Sequence, residues 1–169
     1  MRRRLSYWHP ASLIATGFGI GNIPIASGSW ASLAVLPVAW LIADRFGGLW
    51  LIAAAALALL AGLWASARYC AASGEKDPSR IVIDEIAGQF LALAPIAVPD
   101  PVLYGIGFFA FRIFDIFKPW PAGWCDRELE GAPGVMFDDI AAGLYAALVV
   151  YGVIFLDSIY GFLPWLPES

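Results

Sequence analysis

The chain has 169 residues, of which 60% are apolar and only 14% charged, and its formal net charge is -4. Its mean hydropathy of +0.73 lies well above that of ordinary soluble domains, and this predicts an integral membrane protein forming one domain over residues 1–169. A nucleic-acid partner is disfavoured because such binding uses basic patches, whereas the ten Lys and Arg residues are scattered. With one histidine, His9, and two isolated cysteines, nothing indicates a zinc site or a disulfide framework.

The N-terminal segment is apolar but interrupted. MRRR followed by an apolar run is typical of a signal peptide, yet Gly17, Gly19, Gly21 and Pro24 break the run and no small-residue cleavage site follows. We therefore expect this segment to remain in the mature protein. Because glycines and proline disfavour a continuous helix, residues 8–24 are predicted to form an interfacial or re-entrant piece.

Five further segments are apolar and long enough to suggest membrane crossings, at about 20 residues per span. They are Trp30–Ala43, Phe46–Ala67, Ile81–Val98, Val102–Phe117 and Val135 to about Asp157. Polar links at 73–80 and 118–134 separate them, and residues 162–165 are predicted to form an interfacial tail. The predicted fold class is thus all-α, a polytopic membrane helical bundle of about five spans.

The positive-inside rule gives this bundle an orientation. With the N-terminus in the cytoplasm, Arg45 falls outside, and the cytoplasmic side receives Arg2, Arg3, Arg4, Arg68, Lys76, Arg80, Lys118 and Arg127. The same topology brings five acids from three helices to the cytoplasmic face: Asp84, Glu85, Asp115, Asp138 and Asp139.

Four of these acids occur in a repeated pattern, VIDEIAGQ (82–89) and MFDDIAAG (136–143). Neighbouring helix positions differ by about 100°, so at most one acid of each pair should point squarely at the bundle centre. Small residues on the next turn allow close helix approach. Oxygen ligands suit Mg²⁺, which predicts a magnesium site formed by Asp84, Glu85, Asp138 and Asp139. The alternative is that Asp84 and Asp138 only cap helices and stabilise the helix dipole.

The segment FRIFDIFKPWP (111–121) places Arg112, Asp115 and Lys118 along one helix face. They either form a structural ion pair with Lys118 reaching to the interface, or Arg112 and Lys118 bind a phosphate while Asp115 binds metal or water. In the glycine-rich stretch 16–30, backbone N–H groups are candidates for lining a phosphate, although glycines that pack helices are as common.

Taken together, GFGxG with a following Pro, IVxDExxG, FRxxDxxKPWPxxWxD and DDIxAG resemble the phosphatidylglycerophosphatase A family. The resemblance implies a multi-helical, Mg²⁺-dependent bacterial inner-membrane enzyme that converts phosphatidylglycerophosphate to phosphatidylglycerol. Matching motif positions are Asp84, Glu85, Arg112, Asp115, Lys118, Asp126, Asp138 and Asp139. Gly19, Gly28 and Ser29 join Arg112, Lys118 and Asp126 as candidate substrate-binding residues. The family often has Pro-Gly-Thr where this chain has Ser27, Gly28 and Ser29.

The expected mechanism has Mg²⁺ on Asp84, Asp138 and Asp139, with Glu85 as a further ligand or a base. Asp115 or Glu85 activates a water, and Arg112 and Lys118 stabilise phosphoryl charge. A covalent aspartyl-phosphate is the competing route, although no DxDx[TV] pattern supports it.

Two interpretations from other functional classes also fit buried acids. A small ion- or proton-coupled transporter would also carry carboxylates in its spans, but it would need them near the midplane with access to both sides. In a structural membrane subunit, the acids would serve only as caps and assembly contacts.

Overall fold

The computed structural model describes residues 5–75, 78–161 and 163, and within residue 126 only the backbone. MRRR, Lys76 and all of the predicted interfacial tail except residue 163 lie outside this description. The described chain folds as seven α-helices and one short 3-10 helix, which agrees with the predicted all-α class. The helices are α1 (Pro10–Ala15), α2 (Ser27–Phe46), α3 (Leu49–Ser73), α4 (Ile83–Leu93), α5 (Pro101–Phe117), α6 (Ala122–Glu128) and α7 (Ala132–Tyr160).

Three of the described helices, α2, α3 and α7, are long and apolar enough to cross a membrane. Their surfaces agree with a lipid environment, since large apolar side chains such as Leu57, Leu60 and Leu148 face outward. The predicted count of about five spans is not confirmed. The chain is nevertheless a membrane protein by composition and by these helices.

The expected third span, Ile81–Val98, forms a much shorter helix. Helix α4 has 11 residues, or about 16 Å at 1.5 Å per residue, roughly half the thickness of a hydrocarbon core. It ends at Leu93, two residues before Pro95, whose ring and missing N–H prevent a helix from continuing. Helix α5 then begins at Pro101, capped by Asp100, whose Oδ1 accepts the backbone N–H groups of Val102 and Leu103 at 2.9 Å each.

Although it is short, helix α4 lies at the centre of the packing, in contact with α2, α3, α5 and α7. Its closest approach is to α7, where a Cβ on Gly143 would lie 2.5 Å from the carbonyl oxygen of Gly88. Both glycines belong to the repeated acid-containing pattern, and the structure confirms that they allow the two helices to approach. The two N-terminal halves, with their acids, are thereby held side by side.

The N-terminal segment does not form one continuous helix. Helix α1 has only six residues, and the chain then turns through Gly17 and Gly19, both at positive φ. The end of α1 lies against the start of α4, where the backbone N–H of Val82 donates to the carbonyl of Ala15 at 2.9 Å. Gly17 packs against the side chains of Val82 and Ile86 at the same place. The glycine-rich segment therefore covers the end of the bundle at which α4 begins.

We predict that Gly143→Ala lowers the free energy of unfolding by about 1–3 kcal/mol, because the added methyl meets backbone that cannot rotate away. Gly152→Ala is the matched control on the same helix, since a Cβ there has nothing within 4 Å. The control should be neutral or slightly stabilising because alanine is the better helix former. Thermal unfolding in detergent measures both, and equal midpoints for the two variants would contradict the close α4–α7 crossing.

Candidate active site

The two double-acid motifs have the same local geometry. Asp84 Oδ1 accepts the backbone N–H of Glu85 at 3.0 Å, and Asp138 Oδ1 accepts that of Asp139 at 2.9 Å. Asp84 and Glu85 lie in the first turn of α4, where a helix-dipole role remains reasonable. Helix α7, however, begins six residues before Asp138, so its acids are outside the first turn. Dipole stabilisation therefore does not explain the second motif.

Three carboxylates converge where α4 and α7 meet. One oxygen from each of Asp84, Glu85 and Asp139 lies within 4.8 Å of the others. Asp84 and Asp139 are 8% and 3% exposed, so little water is available to solvate their charge. Both acids of the first motif contribute an oxygen to the cluster, whereas Asp139 is its member from the second motif.

This donor set fits a hard divalent cation. Mg²⁺ holds oxygen ligands at about 2.0–2.1 Å, so two ligands on opposite sides are about 4 Å apart. Small side-chain rotations would bring oxygens now within 4.8 Å onto one ion. When ionised, three carboxylates in an apolar bundle also need compensating positive charge.

Asp138 is engaged differently from the other predicted ligands. Its Oδ2 lies 2.7 Å from Nζ of Lys118, a residue that caps α5 in the left-handed conformation with φ 44°. The carboxylate is nearly buried, with its side chain 7% exposed, whereas that of Lys118 is 30% exposed. In this arrangement Asp138 stands beside the three-carboxylate cluster and holds Lys118 close to it.

Arg112 links the cluster to α5 and α2. Its Nη1 lies 2.6 Å from Oδ2 of Asp115, with both side chains largely buried. A Cβ on Gly28 would overlap Oε1 of Glu85 and lie 3.3 Å from Nη1 of Arg112. Glycine at this position therefore leaves the space that the carboxylate and the guanidinium occupy together.

The remaining predicted site residues have weaker structural support. Ser29 is half-buried in the first turn of α2, beside Gly28. Gly19 packs against the Tyr7 hydroxyl, which would lie 2.6 Å from its Cβ, and no described contact links it to the acids. Residue Asp126 belongs to α6, but its side chain lies outside the described part of the chain.

Sequence reasoning did not single out Gln89. It follows Glu85 by one turn of α4 and is completely buried. The signal was present in the sequence, since an amide inside an apolar helical segment is expected to have a hydrogen-bond partner. Burial, together with the nearby Asp138 carboxylate, raises the pKa of the Cys125 thiol.

Residues 13–154 match the family model described as Phosphatidylglycerophosphatase A. The chain belongs to the phosphatidylglycerophosphatase A family. It is 35% identical over 150 residues to Phosphatidylglycerophosphatase A of Escherichia coli strain K12, covering 89% of this chain and 87% of the relative. It is 36% identical over 153 residues to Phosphatidylglycerophosphatase A of Haemophilus influenzae, covering 89% and 93%. No solved structure matches the chain.

A third relative is named for a different headgroup. It is the Putative phosphatidylinositol-3-phosphatase of Bacteroides thetaiotaomicron, 39% identical over 150 residues, covering 82% of this chain and 89% of the relative. All three relatives are named as phosphatases of phospholipid headgroups. Membership in the phosphatidylglycerophosphatase A family identifies the chain as an enzyme, so the transporter and structural-subunit alternatives are set aside.

We predict that Gly28→Ala lowers phosphatase activity by about 10–100-fold while changing the thermal midpoint little. The new methyl would displace the end of the flexible Glu85 side chain rather than backbone, and small displacements of catalytic groups are costly. Gly105→Ala is the control, because a Cβ there has nothing within 4 Å. Wild-type turnover in the Gly28 variant would contradict the placement of Glu85 in the active site.

Proposed function

We propose that the chain hydrolyses the terminal phosphomonoester of phosphatidylglycerophosphate, giving phosphatidylglycerol and inorganic phosphate, in a Mg²⁺-dependent reaction. The observation that carries this proposal is the cluster formed by Asp84, Glu85 and Asp139 next to Arg112, in a chain of this family. A phosphomonoester is dianionic near neutral pH, and such a substrate needs both a metal and cationic side chains to approach buried carboxylates.

Asp84, Glu85 and Asp139 are the proposed ligands of the magnesium ion. When bound, the ion would neutralise phosphoryl charge and lower the pKa of a bound water. Asp138 is assigned a different role from the ligand role expected from its motif. Its 2.7 Å contact with Lys118 fits a residue that keeps this lysine beside the phosphoryl position.

Arg112 and Lys118 would bind the non-bridging phosphoryl oxygens. The guanidinium is the better placed of the two, because it is held by Asp115 and lies against Gly28 beside Glu85. A planar guanidinium can donate two parallel hydrogen bonds to phosphate, which fixes the orientation of the group as well as its charge.

In the proposed hydrolytic step, the oxygen of a water molecule forms a bond to phosphorus and the bond from phosphorus to the glycerol oxygen breaks. Asp115 or Glu85 accepts the proton from the water, and the departing glycerol oxygen takes up a proton to become a hydroxyl. Both carboxylates lie close to Arg112, so either is near the phosphoryl group that this residue would hold.

The proposed location is the bacterial inner membrane, with the site facing the cytoplasm. The acids lie at the end of the bundle where α2, α4 and α7 begin and α5 ends. Arg68, Arg80, Lys118 and Arg127 belong to segments at this same end, as the positive-inside rule expects of a cytoplasmic face. The acyl chains of the substrate would stay in lipid while its headgroup enters the site.

The decisive assay is phosphate release from phosphatidylglycerophosphate by protein purified in detergent, with Mg²⁺ and with excess EDTA. EDTA should abolish release and added Mg²⁺ should restore it, because the carboxylates alone repel the substrate. Asp139→Asn should lower turnover by at least about 10²-fold. Asp44→Asn changes an exposed acid at the other end of α2 in the same way and should leave turnover unchanged.

The headgroup is tested in the same assay with phosphatidylinositol 3-phosphate as the competing substrate. A larger kcat/KM for phosphatidylglycerophosphate is expected. Preference for the inositol lipid would overturn the proposed substrate, whereas EDTA-resistant hydrolysis would overturn the proposed metal. Absence of hydrolysis of both lipids by folded protein with Mg²⁺ would contradict the proposed reaction.

A further inference from the structure

Gln89 is the most unusual buried polar residue in the described part of the chain. Its side chain is 0% exposed, yet neither Oε1 nor Nε2 has a hydrogen-bond partner among the described residues. Buried amides nearly always have partners, because the hydrogen bonds lost to water must be replaced. Gln89 therefore requires an explanation beyond filling space in the core.

Three further atoms in the same part of the bundle share this condition. Oε2 of Glu85 and both Nε and Nη1 of Arg112 are also buried without a hydrogen-bond partner among the described residues. Of these, Nη1 is already engaged in the ion pair with Asp115, which leaves Oε2 of Glu85 and Nε of Arg112. Their chemistry complements that of the Gln89 amide. Nε2 of Gln89 and Nε of Arg112 are donors, while Oε1 of Gln89 and Oε2 of a deprotonated Glu85 are acceptors.

The helix geometry places these groups together. Gln89 follows Glu85 by four positions on α4, and side chains at this spacing are neighbours on one helix face, about 5–6 Å apart at Cβ. Arg112 reaches the same carboxylate from α5, because both groups lie against Gly28. The residue before Arg112, Phe111, packs its ring on Gly88, the residue before Gln89.

We infer that Gln89 is a positioning residue for the metal-bound state. In that state its Nε2 donates to Oε2 of Glu85, and its Oε1 accepts the Nε–H of Arg112. This inference rests on the proposed function, in which Glu85 is a metal ligand and Arg112 binds the phosphoryl group. Each of the two bonds joins an unpartnered donor to an unpartnered acceptor, so the arrangement leaves none of the four atoms unsatisfied.

Such a contact would matter because the amide fixes both groups at once. A metal ligand is oriented by the hydrogen bond to its second oxygen, and removing such outer contacts typically weakens metal binding by about 10–100-fold. On the other side, anchoring Nε of Arg112 leaves its terminal nitrogens directed at Asp115 and the phosphoryl oxygens. Gln89 would thus couple the metal ligand to the phosphate-binding residue without touching the substrate.

The test uses Gln89→Met, which keeps the length of the side chain but removes both hydrogen-bonding atoms. The measured quantity is the rise in thermal midpoint of the purified protein as Mg²⁺ is added in the absence of substrate. Without Mg²⁺, the variant should unfold at the wild-type temperature or above it, because no amide is left unpartnered. The Mg²⁺ concentration giving half of the full rise should increase by about 10–100-fold.

Leu93→Met is the matched control. It introduces the same side chain one turn further along α4, at a completely buried position, and changes volume little. Its half-saturating Mg²⁺ concentration should equal that of the wild type. Should Gln89→Met fail to fold, Gln89→Leu gives the same comparison with another apolar side chain.

Three results would count against the inference, and they are distinguishable. A Gln89 variant that unfolds at lower temperature without Mg²⁺ but has wild-type half-saturation would show a purely structural amide, such as one bonded to a buried water. Wild-type protein whose midpoint does not respond to Mg²⁺ would contradict the proposed magnesium site and the inference together. Unchanged half-saturation with unchanged stability would likewise overturn the role assigned to Gln89.

Discussion

Mutual repulsion among buried carboxylates is the constraint on which this molecule depends. Two ionised carboxylates 4.8 Å apart repel by about 3.5 kcal/mol even at an effective dielectric constant near 20, and three carboxyl groups meet within that distance here. Burial adds a desolvation penalty to each charge. Apolar residues at the same positions would fill the core without these penalties. The cluster therefore fits a site for positive charge, which we propose a divalent cation and Arg112 contribute.

The rest of the fold can be understood as the means of bringing these charges together. Helix α4 is short, and it places Asp84 and Glu85 among the longer helices that surround it. Close contact at Gly88 and Gly143 brings in Asp139, and the missing side chain at Gly28 leaves room for Glu85 beside Arg112. Glycine thus serves the chemistry at these positions by allowing close approach, rather than by adopting an unusual backbone conformation.

Much of this arrangement was predictable from the sequence. Alternating helix directions placed the acids at one end, and the repeated pattern indicated that α4 and α7 pair through small residues. Two features were not predictable. The first is the length of α4. The apolar sequence through Val98 favours a longer helix, whereas Pro95 ends it at Leu93, and the sequence does not show which effect is the stronger. The second is that Asp138 pairs with Lys118 instead of joining the predicted metal ligands. This pairing depends on distances of a few ångströms between side chains, which helical periodicity does not resolve.

The significance of Gln89 was also hidden, for a different reason. A glutamine in an apolar helix is ordinary if it faces a polar partner, and only the packed structure shows that its amide lacks one among the described residues. Its proximity to Glu85 follows from spacing alone, but its proximity to Arg112 requires knowing that α5 returns beside α4. Long-range pairing, rather than local propensity, was the missing information.

The central claim is that Asp84, Glu85 and Asp139 share one divalent cation. Crystals of the protein grown with Mn²⁺ in place of Mg²⁺, with anomalous scattering recorded from the manganese, would test it most directly. We predict one anomalous peak among the carboxylate oxygens of these three residues, with Asp138 still paired to Lys118. A peak coordinated instead by Asp138, or none beside the three carboxylates at saturating Mn²⁺, would contradict the account.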